Sequence, residues 1–211
     1  MTELKRQLAV CPIIAVIRDD ASLELVLKSP VRCVLLAYGD LVTAGSAVGR
    51  LKAAGKLVFL NFDMIDGLGT DQAAVRFVAR RVRPDGIRST RSQIIKAAHK
   101  EQFLTVQSLF LLDSLALRNG LNSVLNCSPT AIEVLPGIMP RIIGDISRRC
   151  SLPLIAGGLI RSQKEAQDAL AAGAAGCATS DRALWGLSLC VRGGDKKAGS
   201  LSQRTRILNY A

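Results

Sequence analysis

Short apolar runs, separated by segments with helix signals, recur along the chain and constrain its fold more than any other feature. The runs are rich in valine, isoleucine and leucine, and they do not alternate apolar with polar residues. Such continuous runs are typical of a parallel sheet whose outer face is covered by helices. We predict strands over residues 13–17, 31–37, 57–62, 86–89, 104–108, 131–135, 153–156 and 176–179.

The intervening segments carry signals for helix ends. Ser162 and Glu165 have the spacing of a capping box, and Gly173 suits the left-handed residue that follows such a helix. Thr70 is predicted to cap a helix over residues 72–81. Eight strands that alternate with helices predict an α/β fold, a compact TIM (β/α)₈ barrel.

The alternative fold is a doubly wound open sheet, but no glycine-rich dinucleotide fingerprint follows a predicted strand. No linker interrupts residues 1–185, so we predict one barrel domain there. From residue 186 onward the apolar periodicity ceases. We therefore predict that residues 186–211 form a flexible, basic, disordered tail.

The chain is basic, with 28 lysines and arginines against 17 acidic residues and a formal net charge of +11. A basic surface favours a polyanionic partner, and nucleic acid is the first such class. The alternative is a basic protein without a polyanionic partner. Aromatic residues make up only 4% of the chain, so we expect any RNA contact to go mainly to phosphates.

No apolar run is long enough to span a membrane, and the first residues lack the features of a secretory signal. The six cysteines contain no C-x-x-C pair, and several fall inside apolar runs, where a reduced cysteine behaves as a small hydrophobe. We therefore expect a cytoplasmic protein.

In a TIM barrel, ligands bind at the carboxyl ends of the strands. Polar or glycine residues stand at almost every predicted strand end, whereas the strands themselves are apolar. This contrast predicts a binding site at that end of the barrel. The residues concerned are Arg18, Asp40, Asp63, Arg91, Gln107, Glu133, Gly157, Gly158, Thr179 and Ser180.

Gly157 and Gly158 after the seventh strand, with Thr179 and Ser180 after the eighth, predict a phosphate site. Glycine lets backbone N–H groups approach an anion closely, and Ser180 is predicted to head a short helix whose amino end favours negative charge. Loops after these two strands commonly hold phosphate in such barrels. The alternative for the glycine pair is a tight turn without a ligand.

Asp63 and Glu133 are open to two interpretations, an acid/base pair or acceptors that orient the hydroxyls of a ligand. No lysine is predicted to point into the site, which disfavours a Schiff-base aldolase. His99 is the only histidine and lies on a predicted helix, so zinc chemistry has almost no support. A carboxylate-bound Mg²⁺ is left open, and we assign no catalytic residue and no metal site.

Arginines cluster around the fourth predicted strand, at Arg80, Arg81, Arg83, Arg88 and Arg91. Guanidinium groups bind phosphates through paired hydrogen bonds. We therefore expect the cluster, with Arg83 excepted, to contact RNA, although a small phosphorylated ligand would also suit Arg88 and Arg91. The alternative for Arg80, Arg81 and Arg83 is a solvated basic helix end.

Several uninterrupted phrases of the chain are specific enough to compare with known families. They are residues 12–15 (PIIA), 85–92 (DGIRSTRS), 109–114 (LFLLDS), 133–140 (EVLPGIMP), 156–160 (AGGLI) and 179–181 (TSD). These phrases resemble the bacterial glycerol-3-phosphate-responsive antiterminator family, also called glycerol uptake operon antiterminators. The resemblance runs from about residue 10 to residue 185.

The resemblance implies a regulatory TIM barrel rather than an enzyme, with no cofactor. Members of the family respond to glycerol 3-phosphate and bind the leader mRNA of glycerol-metabolism genes, which prevents premature termination. The alternative function is a TIM-barrel enzyme that acts on a small phosphorylated substrate, and a homo-oligomer is left open. The expected effector contacts are Gly157, Gly158, Thr179 and Ser180 for the phosphate, Asp63, Glu133 and Gln107 for the hydroxyls, and Arg18 or Arg91 for charge balance.

Three positions depart from the pattern of that family. Asn61 stands where a histidine is common, and Ser108 stands where a basic residue often follows the glutamine. Arg88 replaces an apolar residue. The first two departures bear on effector affinity or on the contact with the anion.

Overall fold

The computed structural model describes residues 2–187 and shows a closed barrel of eight parallel strands in chain order. This confirms the predicted TIM barrel, and every predicted apolar run overlaps a strand. The predicted tail, residues 186–211, lies outside the described residues except for its first two positions. The strands are β1 Ile13–Ile17, β2 Cys33–Leu36, β3 Leu57–Asn61, β4 Gly86–Ser89, β5 Leu104–Phe110, β6 Ala131–Leu135, β7 Leu154–Gly157 and β8 Gly176–Thr179.

Helices alternate with these strands and cover the outside of the barrel. The helices are α1 Glu3–Val10, α2 Asp20–Lys28, α3 Ala44–Ala53, α4 Gln72–Phe77, α5 Ser92–Lys100, α6 Ser114–Cys127, α7 Pro140–Arg149 and α8 Gln163–Ala171. Short 3₁₀ turns follow β3, over Phe62–Met64, and β8, over Arg182–Gly186. No helix among residues 2–187 is long and apolar enough to cross a membrane.

The helix ends confirm one predicted cap and correct another. Ser162 and Glu165 form the capping box at the start of α8, and Gly173 has the predicted positive φ of 109°. The cap of α4 is Asp71 and not Thr70, because the Asp71 carboxylate accepts a hydrogen bond from the Ala74 amide at 2.9 Å. The chain then continues beyond α4 as a wider π-type turn over Val78–Val82.

The direction of each side chain follows from the two-residue period of a strand. One apolar cluster fills the barrel interior, and a larger one lies between the strands and the outer helices. In β5, Val106 belongs to the interior cluster, whereas Gln107 contacts Cys127 of α6 outside the barrel. Ser108 again points inward, where its hydroxyl donates to Glu133 of the adjacent strand β6. This alternation decides which polar residues can reach a ligand inside the barrel.

Helix α1, which the apolar pattern of the strands did not predict, closes the barrel at the amino ends of the strands. Leu4 and Leu8 are fully or almost fully buried in the interior cluster. A Cβ atom at Gly176, the first residue of β8, would lie 2.8 Å from a methyl carbon of Leu8. The ligand side of the barrel is therefore the opposite end, where the carboxyl ends of the strands form an open mouth.

Burial leaves the core cysteines poorly reactive. It raises the pKa of the Cys33 and Cys177 thiols to about 12 and that of Cys127 to about 11, whereas Cys11 is only half-buried. At pH 8, a thiol with a pKa near 12 is ionised in only about one molecule in ten thousand, and the thiolate is the species that reacts.

We therefore expect iodoacetamide at pH 8 to label Cys11 in the folded protein well before Cys33, Cys127 or Cys177. Peptide mass spectrometry after timed quenching measures the order of labelling. In urea, where burial is lost, all of these cysteines should react at similar rates. Equal labelling of Cys33 and Cys11 in the folded protein would show that the interior is not packed as described.

Candidate functional site

Four polar side chains from neighbouring strands meet inside the barrel near its mouth. Asn61 of β3, Arg88 of β4, Ser108 of β5 and Glu133 of β6 point inward and form a connected cluster, called here the polar layer. The Arg88 Nε donates to Glu133 Oε2 at 2.7 Å, and its Nη1 donates to Asn61 Oδ1 at 3.2 Å. The Ser108 hydroxyl donates to the same Glu133 oxygen at 2.6 Å.

The polar layer is an ion pair in an apolar barrel. Arg88 is 8% exposed and Glu133 is 3% exposed, so neither charge is compensated by bulk water. A buried charge is tolerated only when it is paired and hydrogen-bonded. Among the described residues, every buried side-chain nitrogen or oxygen has a hydrogen-bond partner, and the layer meets that condition.

Beneath the polar layer is a cavity of about 20 Å³, roughly the space of one water molecule. The rest of its lining is apolar: Ile14, Leu35, Phe59, Val106, Ile155 and Ala178. The barrel is therefore packed below this level. Any ligand larger than water has to bind above the layer, toward the mouth.

The absence of a side chain at Gly157 leaves space for the Glu133 carboxylate. A Cβ atom at this position would lie 2.3 Å from Glu133 Oε1 and 2.9 Å from its Cδ, closer than non-bonded atoms can approach. Next to it, Gly158 and Leu159 both have positive φ angles, of 74° and 62°. These three residues, called here the glycine turn, bring backbone directly against the polar layer at the mouth.

Thr179 does not face the mouth, which corrects its expected role as a phosphate contact. Its hydroxyl donates to the Ile160 carbonyl at 2.7 Å and accepts from the Asp181 amide at 3.0 Å, and the residue is 4% exposed. Thr179 therefore ties the loop after β7 to the loop after β8. Ser180, the next residue, is exposed and remains at the mouth.

The helix after β8 differs from the prediction that Ser180 heads it. Its cap is Asp181, whose carboxylate accepts from the Ala183 amide at 3.0 Å. A carboxylate already occupies this helix end, so it does not offer a site for a second anion. The amides of the glycine turn and the Ser180 hydroxyl stay the predicted phosphate donors of this region.

The Asp63 carboxylate is hydrogen-bonded to the loop after β4. It accepts hydrogen bonds from the Ser89 hydroxyl at 2.8 Å, the Thr90 amide at 2.7 Å and the Thr90 hydroxyl at 2.9 Å. Arg91 Nη1 lies 3.6 Å from Asp63 Oδ1. The structure thus makes Asp63 a support for this loop, which corrects its expected contact with ligand hydroxyls and its candidacy as an acid or base.

Gln107 also lies outside the expected site. It points away from the barrel interior, is 1% exposed, and donates from Nε2 to the Thr90 carbonyl at 2.8 Å. Its Oε1 accepts from the Cys127 thiol at 3.5 Å. Like Asp63, it holds the loop after β4 in place and does not reach a ligand at the mouth.

The structure separates the predicted arginines into three groups. Arg18 and Arg91 are exposed at the mouth, after β1 and β4. Arg88 is buried in the polar layer, so its expected contact with RNA at the surface does not fit its position. Arg80 and Arg81 are exposed in the π-type turn at the far end of the barrel.

Sequence reasoning missed the polar layer as a unit, although a signal was present. Asn61, Arg88 and Ser108 are the three positions that the resemblance marks as departures; Arg88 and Ser108 contact Glu133, and Asn61 contacts Arg88. The period of the strands places Arg88 two residues after Gly86 and Ser108 two after Val106, on the same inner face. Applying that period would have shown that Gln107 points outward.

The chemistry of the mouth suits binding of a small hydroxylated anion. The polar layer presents a carboxylate, a guanidinium, an amide and a hydroxyl, which both donate to and accept from alcohol groups. Among residues 2–187, no lysine lies in the barrel interior and no cluster of three or more metal-ligating side chains is present. Lys56, near the amino end of β3, donates to the Ser29 and Val31 carbonyls at 2.7 Å.

Comparison with known proteins finds similar chains. The model of the family described as glycerol-3-phosphate responsive antiterminator matches residues 13–185. The uncharacterized Escherichia coli (strain K12) protein YgcP is 34% identical over 177 residues, which cover 84% of this chain and 93% of that protein.

Two solved structures are similar over nearly their whole length. The glycerol uptake operon antiterminator regulatory protein from Listeria monocytogenes has a TM-score of 0.80 and 31% identity, over 83% of this chain and 95% of that one. A glycerol uptake operon antiterminator-related protein from Thermotoga maritima has a TM-score of 0.73 and 30% identity, over 83% and 98% of the two chains.

Proposed function

Because the chain belongs to the glycerol-3-phosphate responsive antiterminator family, we propose that it is a regulator that binds glycerol 3-phosphate at the barrel mouth. In the bound state it binds the leader mRNA of glycerol-metabolism genes and prevents premature termination. It does so in the cytoplasm, where the transcript is made. No cofactor is needed, since binding energy alone shifts the protein between its states.

One observation carries this proposal: the polar layer lies directly beside the glycine turn at the open end of the barrel. A glycerol 3-phosphate that lies above the layer would place its hydroxyls near Glu133 and Arg88, which can accept and donate hydrogen bonds. The amides of the glycine turn and the Ser180 hydroxyl would contact the phosphate. Arg18 and Arg91 at the rim would balance its charge.

An enzyme acting on a small phosphorylated substrate is supported less well. Its candidate acid and base were Asp63 and Glu133, but Asp63 supports the loop after β4 and Glu133 is paired with Arg88. An acid and a base must both reach the same substrate, and Asp63 is held in the loop after β4, away from Glu133 in the polar layer. The contacts therefore favour binding over acid/base catalysis by this pair.

Thermal denaturation in the presence of glycerol 3-phosphate tests the effector. At a concentration about 100 times Kd, binding adds roughly 2.7 kcal/mol to the free energy of unfolding, a rise of about 5–10 °C in Tm for a chain of this size. Glycerol alone and inorganic phosphate alone are the control compounds, and each should shift Tm by much less than glycerol 3-phosphate does. An equal shift with phosphate would indicate a general anion site, and no shift with glycerol 3-phosphate would exclude it as the effector.

A further inference from the structure

The caps and last turns of the outer helices differ in charge between the two ends of the barrel. The outer helices begin at the mouth, where Asp19, Asp71, Asp113 and Asp181 cap their first turns. They end at the other side, around the amino ends of the strands and α1, which is called here the amino-end face. Basic residues in the last turns on this face include Lys28, Lys52, Arg80, Arg81, Lys100 and Arg148.

Compensation of helix dipoles explains only part of this positive charge. A cation near a helix carboxyl end is stabilising, so one basic residue at each last turn is expected. Lys5 and Arg6, however, lie in the first half of α1, where the dipole disfavours a cation, and Arg32 precedes β2 outside any helix. Arg32 Nη1 lies 3.5 Å from Gln7 Oε1 of α1, which places these residues on one surface.

Acidic residues pair with only some of the cations of the amino-end face. Glu3 forms an ion pair with Arg6, Asp85 lies 2.8 Å from Lys52 Nζ, and Asp145 pairs with Arg148. The turn over 80–83 adds a compact group of cations, since Arg80, Arg81 and Arg83 are all exposed and Arg83 Nε donates to the Arg80 carbonyl at 3.0 Å. The face thus presents several exposed guanidinium groups, which bind phosphates through paired hydrogen bonds.

The mouth is unsuited to a long polyanion. Besides the acidic helix caps, its loops expose large apolar side chains, with Val42 86% and Leu112 89% exposed. Phosphates gain nothing from apolar side chains and are repelled by carboxylates. An RNA strand is therefore favoured at the amino-end face and disfavoured at the end where the effector is proposed to bind.

We propose that the phosphate backbone of RNA binds the amino-end face, with the turn of Arg80, Arg81 and Arg83 at its centre, on the side of the barrel opposite the effector. This inference rests on the proposed function, since it locates the RNA that the regulator binds. The effector then acts on RNA affinity across the length of the barrel and makes no direct contact with the RNA.

Two double variants of equal charge change test the location. Arg80→Gln/Arg81→Gln removes two cations from the amino-end face, and Arg141→Gln/Lys164→Gln removes two exposed cations from the first turns of α7 and α8 at the mouth. Binding of a fluorescein-labelled 40-nucleotide random-sequence RNA to the full chain is measured by anisotropy over a series of KCl concentrations, with saturating glycerol 3-phosphate. Equal Tm values confirm that each variant is folded.

The amino-end variant should bind about 10- to 50-fold more weakly, and its log K against log salt slope should fall by about 1.4, the loss of two single-strand phosphate contacts. The mouth variant should keep its affinity within about threefold. If both variants lose affinity equally, or the mouth variant loses more, the location is wrong while the proposed function stands. If the unaltered protein does not bind RNA, the proposed function fails and this inference fails with it.

Discussion

Replacing Arg88 with methionine should lower the free energy of unfolding by about 3–5 kcal/mol, the cost of leaving one member of a buried ion pair without its partner. Arg88 donates to Glu133 at 2.7 Å in a part of the barrel where Glu133 is 3% exposed. Methionine retains much of the side-chain length, so the decrease in the free energy of unfolding reflects the lost charge more than the lost volume. Urea denaturation followed by circular dichroism measures it, without any ligand present.

The double variant Arg88→Met/Glu133→Gln is the matched control. Removing both charges takes away the unpaired carboxylate, so most of the lost stability should return. The non-additivity of the two substitutions measures the coupling between these side chains. A single Arg88→Met variant as stable as the unaltered protein would show that the polar layer is not the buried ion pair described here.

Replacing Gly157 with alanine should weaken glycerol 3-phosphate binding by about 10- to 100-fold, which corresponds to about 1.4–2.8 kcal/mol. The added Cβ would lie 2.3 Å from Glu133 Oε1, so the carboxylate has to move from its place between Arg88 and the glycine turn. Overpacking of this kind also costs about 1–3 kcal/mol of stability. Isothermal titration calorimetry measures the affinity, and urea denaturation measures the stability.

Gly49 in α3 provides the matched glycine. Its Cβ would meet nothing within 4 Å, so Gly49→Ala should leave effector affinity unchanged and raise stability by about 0.5–1 kcal/mol. If Gly157→Ala binds glycerol 3-phosphate as tightly as Gly49→Ala does, the effector does not lie against the polar layer. That result would move the effector site to another part of the mouth.

Much of the fold could be predicted because it depends on local pattern. Continuous apolar runs marked all eight strands, with β1, β4, β6 and β8 correct at both ends. The capping box at Ser162 likewise depends on residues three apart in sequence. Helix α1 was not predicted from the sequence because its place depends on Leu4 and Leu8, which pack in the barrel interior against residues distant in sequence.

The candidate site was harder to predict because it depends on which way each strand-end residue points and on contacts between distant strands. Arg88 and Glu133 are 45 residues apart, and pairing of β5 with both β4 and β6 brings them to 2.7 Å. Asp63 and Gln107 stand near strand ends, where ligand contacts are expected, but both hydrogen-bond to the backbone of Thr90 in the loop after β4. Side-chain direction could be derived from the strand period, whereas these hydrogen bonds could not.

In the proposed mechanism, one ligand at the mouth controls RNA binding elsewhere on the same barrel. The decisive measurement is the affinity of the full chain for the leader transcript of a glycerol-metabolism operon from the same organism, titrated with glycerol 3-phosphate. We expect RNA binding to tighten at least tenfold as the effector saturates, which needs only about 1.4 kcal/mol of coupling, and we expect no such effect of glycerol or phosphate alone. An RNA affinity that stays constant across the whole titration would contradict it.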